Sequence, residues 1–417
     1  ISEVIANAYQ EAEASKQGAS FVSVPQDVTD AEVTTSVIAP LEPPKLGPAS
    51  PIESTLLSQR IKAAKLPVLL LGMRASDPET TRAIRRLIAE THLPVVETFQ
   101  GAGIIPRELE DDFFGRVGLF RNQPGDQLLK KSDLVIAIGY DPIEYEPRNW
   151  NSDRSANIVV IDSMRAEIDK NYQPERELVG DISQTLDFLL PYMKGYSMPN
   201  ESKEYLDSLR KTLQKRDTPP AVTKDQVKSH PLSIIQALQD RVTDDMTVTV
   251  DVGSFYIWMA RHFRSYEPRH LLFSNGMQTL GVALPWAVAA ALVRPNTKIV
   301  SVSGDGGFMF SSQDLETAVR LGLNVVHIIW NDGNYDMVKF QEELKYGDSA
   351  AVKFGPVDFV KYAESFGAKG YRVEKAADLD KVLDKAFKED GPTVVDIPVD
   401  YSFNQELGKT ILEDQLH

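Results

Sequence analysis

Short β-branched and aliphatic runs alternate with amphipathic stretches along most of this chain. In the first half, the runs that predict strands lie at residues 67–72, 94–99, 133–139 and 157–162. Residues 78–91 predict a helix between the first two runs. In the second half, residues 297–303 and 324–330 predict two further strands. Strands that alternate with helices form parallel sheets, so the pattern predicts an α/β fold.

The two strands in the second half each end at a turn that contains an acidic residue. The first strand leads into Gly304 and the second leads into Asn331. Between them, Ser311 or Ser312 is expected to cap a helix that Gly322 stops. A right-handed crossover makes the two strands parallel. Both turns are therefore expected at the carboxyl edge of one sheet, where α/β folds bind ligands.

The residues in these turns suggest a metal site. The first turn reads Gly-Asp-Gly-Gly at 304–307, and the second reads Asn-Asp-Gly-Asn at 331–334. Asp305 and Asp332 can converge on one hard cation such as Mg²⁺, which takes one or two carboxylates together with phosphate oxygens. The glycines let the backbone and its N–H groups approach a bulky anion. The pair of motifs predicts a metal–diphosphate site; the alternative is an ordinary strand–turn–helix whose aspartate caps the helix.

Composition narrows the function classes. The chain has 417 residues, enough for two or three domains, and contains no apolar run of transmembrane length. Its net charge of −15, without a basic block, disfavours nucleic acid and anionic membranes as partners. The chain has no cysteine, which excludes disulfides and thiolate chemistry and fits a cytoplasmic protein. The histidines lack metal-ligand spacing, and His327 is expected to be an interior residue.

The pattern divides the chain into five parts. We expect two Rossmann-like α/β domains, at 53–192 and 231–417, separated by a connector at 193–230. A proline-rich linker at 31–52 precedes them and is expected to be extended. Residues 1–30 are expected to be the tail of a further α/β domain. The alternative is that they form a peripheral helix and strand of the domain that follows.

The expectation for the first residues depends on an internal repeat. Near the start, apolar residues at helical spacing precede the segment 19–28, which reads ASFVSVPQDV. Near the end, a helical stripe that begins at Leu379 precedes the segment 392–400, which reads PTVVDIPVD. The order helix, strand and Ile/Val-Pro-x-Asp thus occurs twice, which favours a duplicated unit.

Together, the motifs resemble those of thiamine-diphosphate enzymes, and more closely those of the catabolic, FAD-independent acetolactate synthases. The segments that carry the resemblance are 251–263 (DVGSFYIWMARHF), 273–292 (FSNGMQTLGVALPWAVAAAL) and 332–347 (DGNYDMVKFQEELKYG). It implies an enzyme that decarboxylates pyruvate on thiamine diphosphate and condenses the hydroxyethyl carbanion with a second pyruvate, giving 2-acetolactate and CO₂. The alternatives are another thiamine-diphosphate decarboxylase or oxidase of 2-keto acids, and a non-catalytic cofactor-binding protein.

The resemblance also implies roles for individual residues. Asp305 and Asp332 would ligate Mg²⁺ through their side chains, and Asn334 through its backbone carbonyl. Gln278 would lie near the aminopyrimidine of the cofactor. Leu280 would be the apolar wedge beneath the cofactor, with plain core packing as the alternative. The residues implied to line the cofactor are Gly253, Ser254, Phe255, Gln278, Leu280, Gly304, Asp305, Gly306, Gly307, Asn334, Tyr335, Met337 and Val338.

The catalytic residues are less evident than the cofactor residues. Gln341, one helical turn after Met337, is suggested as the residue that touches the second substrate, whereas Met337 and Val338 could equally serve packing. In the family the cofactor is activated by a glutamate of the N-terminal domain, and no residue of this chain matches it. This polypeptide alone is therefore expected to be inactive.

The resemblance implies thiamine diphosphate and Mg²⁺ as cofactors, and pyruvate as the small-molecule substrate. It implies a homo-oligomer, with active sites between the subunits of a dimer and a tetramer as the expected assembly. FAD is not expected. In flavin-containing relatives an Arg-Phe-Asp-Asp-Arg segment follows a strand of the middle domain, whereas residues 140–148 here read YDPIEYEPR. The Gly72-Met73-Arg74 turn also lacks the further glycines of a dinucleotide fingerprint.

Overall fold

Two six-stranded parallel sheets, each flanked by helices, form the body of the molecule. The computed structural model describes residues 1–34, 36–38, 41–42, 44–118, 123–405 and 407. Part of the predicted linker, including Pro40 and Pro43, and the last residues of the predicted C-terminal domain, 408–417, lie outside the described residues. The predicted α/β fold is confirmed.

The first half of the chain builds the N-terminal segment and the first sheet. In chain order its elements are α1 (Ser2–Ala12), α2 (Gln26–Thr29), α3 (Pro51–Ala63), β1 (Pro67–Leu71), a 3₁₀ helix (Met73–Ser76), α4 (Pro78–Thr91), β2 (Val95–Thr98), a 3₁₀ helix (Arg107–Asp112), β3 (Phe113–Val117), α5 (Pro124–Lys131), β4 (Leu134–Ile138), α6 (Pro147–Trp150), β5 (Ile158–Asp162), β6 (Arg176–Val179), α7 (Ile182–Met193) and α8 (Asn200–Arg216).

The first sheet has the strand order β3-β2-β1-β4-β5-β6, which is a doubly wound arrangement with its switch point between β1 and β4. The four strands predicted in this half are β1, β2, β4 and β5. The predicted helix at 78–91 is α4, whose N-cap Asp77 accepts hydrogen bonds from the amides of Glu79 and Thr80. Strands β3 and β6 were not predicted. Both carry charged residues, Arg116 in β3 and Arg176 and Glu177 in β6, which mask the strand pattern.

The second half of the chain builds the second sheet. In chain order its elements are α9 (Pro231–Gln239), β7 (Thr247–Val250), α10 (Ser254–His262), β8 (Leu271–Phe273), α11 (Ala283–Val293), β9 (Ile299–Gly304), α12 (Asp305–Ser311), α13 (Asp314–Arg320), β10 (Val325–Asn331), α14 (Asp336–Tyr346), α15 (Phe359–Ser365), β11 (Lys369–Arg372), a 3₁₀ helix (Ala376–Asp378), α16 (Leu379–Lys388), β12 (Thr393–Pro398) and a 3₁₀ helix (Tyr401–Phe403).

The second sheet has the strand order β11-β12-β10-β9-β7-β8. As predicted, β9 and β10 are adjacent and parallel, and Gly304 is paired with Trp330 at their carboxyl ends. His327 is interior, as expected, with its ring nitrogens hydrogen-bonded to the hydroxyls of Ser301 (2.9 Å) and Ser303 (2.8 Å). Burial lowers the pKa of His327 to about 3, so this histidine is a neutral core residue.

The prediction of a helix cap at Ser311 or Ser312 is wrong. The helix begins directly after Gly304, with Asp305 as its first residue, and a second helix follows whose N-cap is Gln313. The hydroxyl of Ser312 instead bonds with that of Tyr362 at 2.8 Å. The early helix start brings the Asp305 carboxyl to the very edge of the sheet.

The N-terminal segment differs from the expected helix and strand. Helix α1 forms, but it buries no side chain, and residues 19–25 contain no strand. Their apolar residues have no neighbouring strand to pair with, and a strand needs a partner for its backbone groups. Lys16 ties the segment to the first α/β domain through ion pairs with Asp141 (3.3 Å) and Glu167 (2.7 Å).

The two α/β domains are joined by a buried arginine. The Arg116 side chain, 1 % exposed, lies 3.5 Å from the Glu97 carboxylate of its own domain. It also donates hydrogen bonds to the carbonyls of Ala260 (3.2 Å) and Phe263 (2.6 Å) at the end of α10. This guanidinium therefore links the first sheet to the helix that follows β7.

We predict that Arg116→Met lowers the free energy of unfolding by about 3 kcal/mol or more, because it leaves the Glu97 carboxylate buried without its partner. Thermal and urea unfolding of the two proteins would measure the difference. Arg82→Met is the matched control, since the Arg82 side chain is 61 % exposed and pairs only loosely with Glu79, at 3.9 Å. Equal losses in the two variants would contradict a specific role for Arg116.

Candidate functional site

The candidate site lies at the carboxyl edge of the second sheet. In the strand order, β8 lies next to β7 in one direction, whereas β9 and then β10 lie next to β7 in the other direction. This reversal leaves a crevice at the carboxyl ends of the strands. A cavity of about 250 Å³ occupies the crevice. A larger cavity, of about 720 Å³, lies at the domain junction, but none of the predicted site residues lines it.

The loop after β7 forms the first wall. Gly253, Ser254 and Phe255 line the cavity, and α10 begins at Ser254. Amides at a helix start are unpaired within the helix and are directed at any anion bound in front of them. This wall therefore offers backbone N–H groups to an anion, and none of its three residues has a positively charged side chain.

The loop before α11 is held against the first wall by Asp251. Its buried carboxylate accepts hydrogen bonds from the amides of Gly281 (3.0 Å) and Ala283 (3.3 Å). Gln278 and Leu280, which precede these anchors, line the cavity. Gln278 has a φ of 48°, a left-handed conformation that costs energy for a residue other than glycine. The anchored loop holds Gln278 in this conformation.

The turn after β9 forms the floor, and Gly304, Asp305, Gly306 and Gly307 all line the cavity. Asp305 accepts hydrogen bonds from the amides of Gly306 (2.9 Å) and Gly333 (2.7 Å). The second of these bonds joins the two acidic turns directly. The carboxylates predicted to share a cation are thus carried by turns that touch each other.

The glycines of this turn are needed for close packing. A Cβ on Gly306 would lie 2.7 Å from the ring of Tyr335 and 2.8 Å from the ring of Phe354. A Cβ on Gly307 would lie 3.2 Å from the carboxyl carbon of Asp251. Larger residues would push the turn into the space where an anion would sit.

The turn after β10 closes the site, and Asp332, Asn334, Tyr335, Met337 and Val338 line the cavity. Its backbone is held by a short antiparallel bridge to residues 352–354.

The bridge orients the carbonyl that was predicted to bind metal. The carbonyl of Gly333 accepts from the amide of Phe354, and the amide of Tyr335 donates to the carbonyl of Val352, each at 2.9 Å. Backbone groups of successive residues in an extended strand point in opposite directions. The Asn334 carbonyl therefore points away from residues 352–354.

Three carboxyl groups share the low-dielectric cavity. Burial, and in second place the charge of Asp332, raises the pKa of Asp305 to about 7. Burial also raises the pKa of Asp332. The hydrogen bond that the Asn334 side-chain amide donates to Asp332 at 3.1 Å acts in the opposite direction and lowers this pKa, but its effect is smaller. Asp336 has its pKa raised to about 7, again chiefly by burial. A divalent cation would stabilise the ionised forms of these buried carboxyl groups.

The oxygen atoms that could ligate a metal here suit a cation that also binds oxygens of an anionic ligand. Among the described residues, no group of three or more histidine, cysteine, aspartate or glutamate side chains could hold a metal ion by itself. Two carboxylates and one backbone carbonyl leave further positions of an octahedral ion for other oxygens. This is the pattern expected for Mg²⁺ with a diphosphate.

The structure brings together every residue predicted to line the cofactor, but it does not place Gln341 on the cavity. Gln341 is exposed on α14, and its predicted contact with a second substrate is untested. The cavity has further lining residues that the sequence did not reveal, Val252, Trp330, Asp336 and Tyr401. Of these, Asp336 lies beside a recognised motif, whereas Tyr401 is remote in the sequence and carried no signal beyond following a strand.

Comparison with known proteins agrees with this geometry. The family model described as thiamine pyrophosphate enzyme, C-terminal TPP binding domain, matches residues 251–397, and that of the central domain matches residues 55–189. An acetolactate synthase of Bacillus subtilis strain 168 is 49% identical over 98% of this chain and 71% of its own length. A catabolic acetolactate synthase of Raoultella terrigena is 46% identical over 100% of this chain and 74% of its own length.

We predict that Asp305→Asn stabilises the metal-free protein at high pH. The folded-state pKa of about 7 exceeds the ordinary value of 3.8, so the folded protein retains a proton that the unfolded chain releases. As pH rises between these values, stability is lost at about 1.4 kcal/mol per pKa unit, and the substitution removes this loss.

With a chelator present, the melting temperature of Asp305→Asn should exceed that of the wild type at pH 8, and the two should converge near pH 4. Asp225→Asn is the control, because the Asp225 side chain is 92% exposed, and it should change little at either pH. Equal melting temperatures of Asp305→Asn and wild type at pH 8 would contradict the raised pKa of Asp305.

Proposed function

The chain belongs to the acetolactate synthase family of thiamine pyrophosphate enzymes, and we propose that it joins two molecules of pyruvate into 2-acetolactate with release of carbon dioxide. Thiamine diphosphate is the cofactor of the matched domains. The observation that carries the proposal is the single cavity that the two acidic turns and the start of α10 share. Its chemistry suits the diphosphate of this cofactor and a divalent cation.

Mg²⁺ is proposed as that cation. Asp305 and Asp332 would ligate it through their carboxylates and Asn334 through its carbonyl, with diphosphate oxygens completing the coordination. The hydrogen bond from Gly333 to Asp305 keeps the two turns in register. With both carboxyl groups ionised, the cation would neutralise charges that are otherwise buried together.

The bound thiamine diphosphate would supply an electron sink for breaking and forming carbon–carbon bonds. The protein's part is to bind, orient and exclude water. Leu280 offers an apolar surface inside the cavity, Gln278 a polar side chain held in an unusual conformation, and Met337 and Val338 an apolar cover at the start of α14. An enclosed apolar site limits the entry of water, which could otherwise protonate a reactive carbon.

We propose that the first α/β domain does not bind FAD. At the corresponding edge of this domain, beyond β1, β4 and β5, polar side chains pair with one another and line a cavity of about 810 Å³ that residues 10–17 also border. The Arg74 guanidinium pairs with Asp162 at 2.8 Å and with Asp141 at 3.0 Å. Glu144 accepts hydrogen bonds from the Met73 amide (2.9 Å) and the Thr98 hydroxyl (2.6 Å). These satisfied groups support a structural role for the domain.

The assembly and location are also proposals. We expect a homo-oligomer in which the subunits of a dimer form the active sites, with a tetramer as the complete assembly. The absence of cysteine fits the reducing conditions of the cytoplasm. No described helix is both long and apolar enough to cross a membrane.

The reaction is tested by the product formed from pyruvate. We expect 2-acetolactate when the chain is joined to an N-terminal domain that carries the activating glutamate and when thiamine diphosphate and Mg²⁺ are present, without added FAD; the chain alone is expected to be inactive. Acetaldehyde as the main product would identify a decarboxylase instead, and acetate with hydrogen peroxide would identify an oxidase. Cofactor binding without any turnover of 2-keto acids would favour a non-catalytic binding protein.

We predict that Asp305→Asn weakens the binding of thiamine diphosphate at fixed Mg²⁺ by at least about tenfold, or about 1.4 kcal/mol. The physical reason is the loss of one negatively charged metal ligand. Calorimetry would measure the affinity, with Asp225→Asn as the control. Because the same variant should raise stability without metal, weaker binding could not be attributed to misfolding. Unchanged affinity would refute the assignment of Asp305 as a ligand.

A further inference from the structure

Tyr401 reaches the candidate site from a part of the chain far from both acidic motifs. It begins the 3₁₀ helix after β12, and its side chain lines the cavity. Its ring stacks on that of Trp330, with centroids 6.4 Å apart and planes at 27°. The fully buried Trp330 ring packs in turn against Phe255, at 6.2 Å. Tyr401 therefore belongs to the wall between β10 and the start of α10.

A hydrogen-bond network fixes the turn that carries Tyr401. The side-chain amide of Asn404 donates to Asp336 at 2.7 Å, and the Trp258 indole donates to the Asn404 carbonyl oxygen at 2.8 Å. Asp336 also accepts a hydrogen bond from the Ser254 hydroxyl. The turn is thus tied to the first residues of both α10 and α14, which restricts the position of the tyrosine hydroxyl.

The tyrosine lies beside the acidic turns, because its ring stacks on Trp330, which is paired with Gly304 at the carboxyl ends of β9 and β10. Its electrostatic neighbours are the carboxylates of Asp336, Asp332 and Asp305, and the backbone amide of Phe255 is within hydrogen-bonding reach. Burial, followed by these carboxylates, raises the pKa of Tyr401 well above 10. The group is a neutral hydroxyl at physiological pH, and so it can donate a hydrogen bond.

An anion in this cavity needs neutral donors. None of the described residues that line it is lysine, arginine or histidine. The Ser254 hydroxyl is already used by Asp336. The indole N–H of Trp330 has no hydrogen-bond partner among the described residues, but this atom is fully buried and does not reach the cavity surface. The hydroxyl of Tyr401 is the side-chain donor on this wall that a diphosphate oxygen can meet.

We propose that the Tyr401 hydroxyl donates a hydrogen bond to the diphosphate of the bound cofactor, and that the turn at Tyr401–Phe403 is part of the cofactor site. This inference rests on the proposed function, because it requires thiamine diphosphate as the ligand. A purely structural role would use only the ring, which stacks on Trp330. The two roles separate when the hydroxyl is removed and the ring is kept.

The substitution Tyr401→Phe removes the hydroxyl and keeps the ring. We expect its affinity for thiamine diphosphate, measured by calorimetry at fixed Mg²⁺, to fall by about tenfold or more, since hydrogen bonds to charged groups are among the stronger ones. Its melting temperature without ligand should stay near that of the wild type. Tyr371→Phe is the matched control, because it removes a hydroxyl that bonds to Glu389 on the same domain, away from the cavity. Its affinity should not change.

A second probe locates the contact. Inorganic pyrophosphate with Mg²⁺ carries the diphosphate without the rings of the cofactor, and its affinity should fall in Tyr401→Phe by a similar factor. Weaker binding of thiamine diphosphate together with unchanged binding of pyrophosphate would overturn the proposal, as would unchanged binding of both.

The wild type and Asp305→Asn show whether the underlying function holds. If the wild type binds thiamine diphosphate and Asp305→Asn does not, a normal Tyr401→Phe refutes this inference alone. If the wild type fails to bind the cofactor, the proposed function fails together with it.

Discussion

The structure of the site depends on the burial of carboxyl groups that the fold brings together at the ends of neighbouring strands. Asp305 and Asp332 follow β9 and β10, which are paired in parallel. Burial, and in second place the charge of Asp332, raises the pKa of Asp305 to about 7. This arrangement is unfavourable by itself, and the proposed cation and diphosphate would turn it into a binding site. Functional sites are often less stable than the scaffold that supports them.

The scaffold consists of elements whose backbone groups are already satisfied. Asp251 anchors the loop that carries Gln278 and Leu280, and residues 352–354 hold the turn that carries Asn334. In the first α/β domain, by contrast, the polar side chains at the corresponding edge already have partners, as in the Arg74 ion pairs. Two sheets of similar design therefore differ at this edge. In the second sheet buried carboxyl groups face a cavity, whereas in the first sheet the charged groups neutralise one another.

Most of the fold, and most of the residues that line the cavity, could be predicted from the sequence, because both follow from short-range signals. Apolar runs reveal buried strands, and a Gly-Asp-Gly turn after such a run places a carboxyl at the sheet edge. The failures have physical causes as well. Strand β3 contains Arg116, whose charge is satisfied by carbonyls of the other domain, and this cannot be read locally. The serine cap was wrong because the helix starts about two turns earlier, at Asp305. Tyr401 was missed because only tertiary structure brings it to the cavity.

Helix α10 connects two features that are otherwise distant. Its first residue, Ser254, lines the cavity, and the carbonyls at its other end accept hydrogen bonds from Arg116 of the neighbouring domain. A helix of this length behaves as a stiff rod of roughly 13 Å. Movement at the domain junction is therefore transmitted along its axis to the anion-facing amides. A change that loosens the junction is therefore expected to weaken the proposed cofactor site as well, which would make tolerance to heat depend on occupancy by the vitamin.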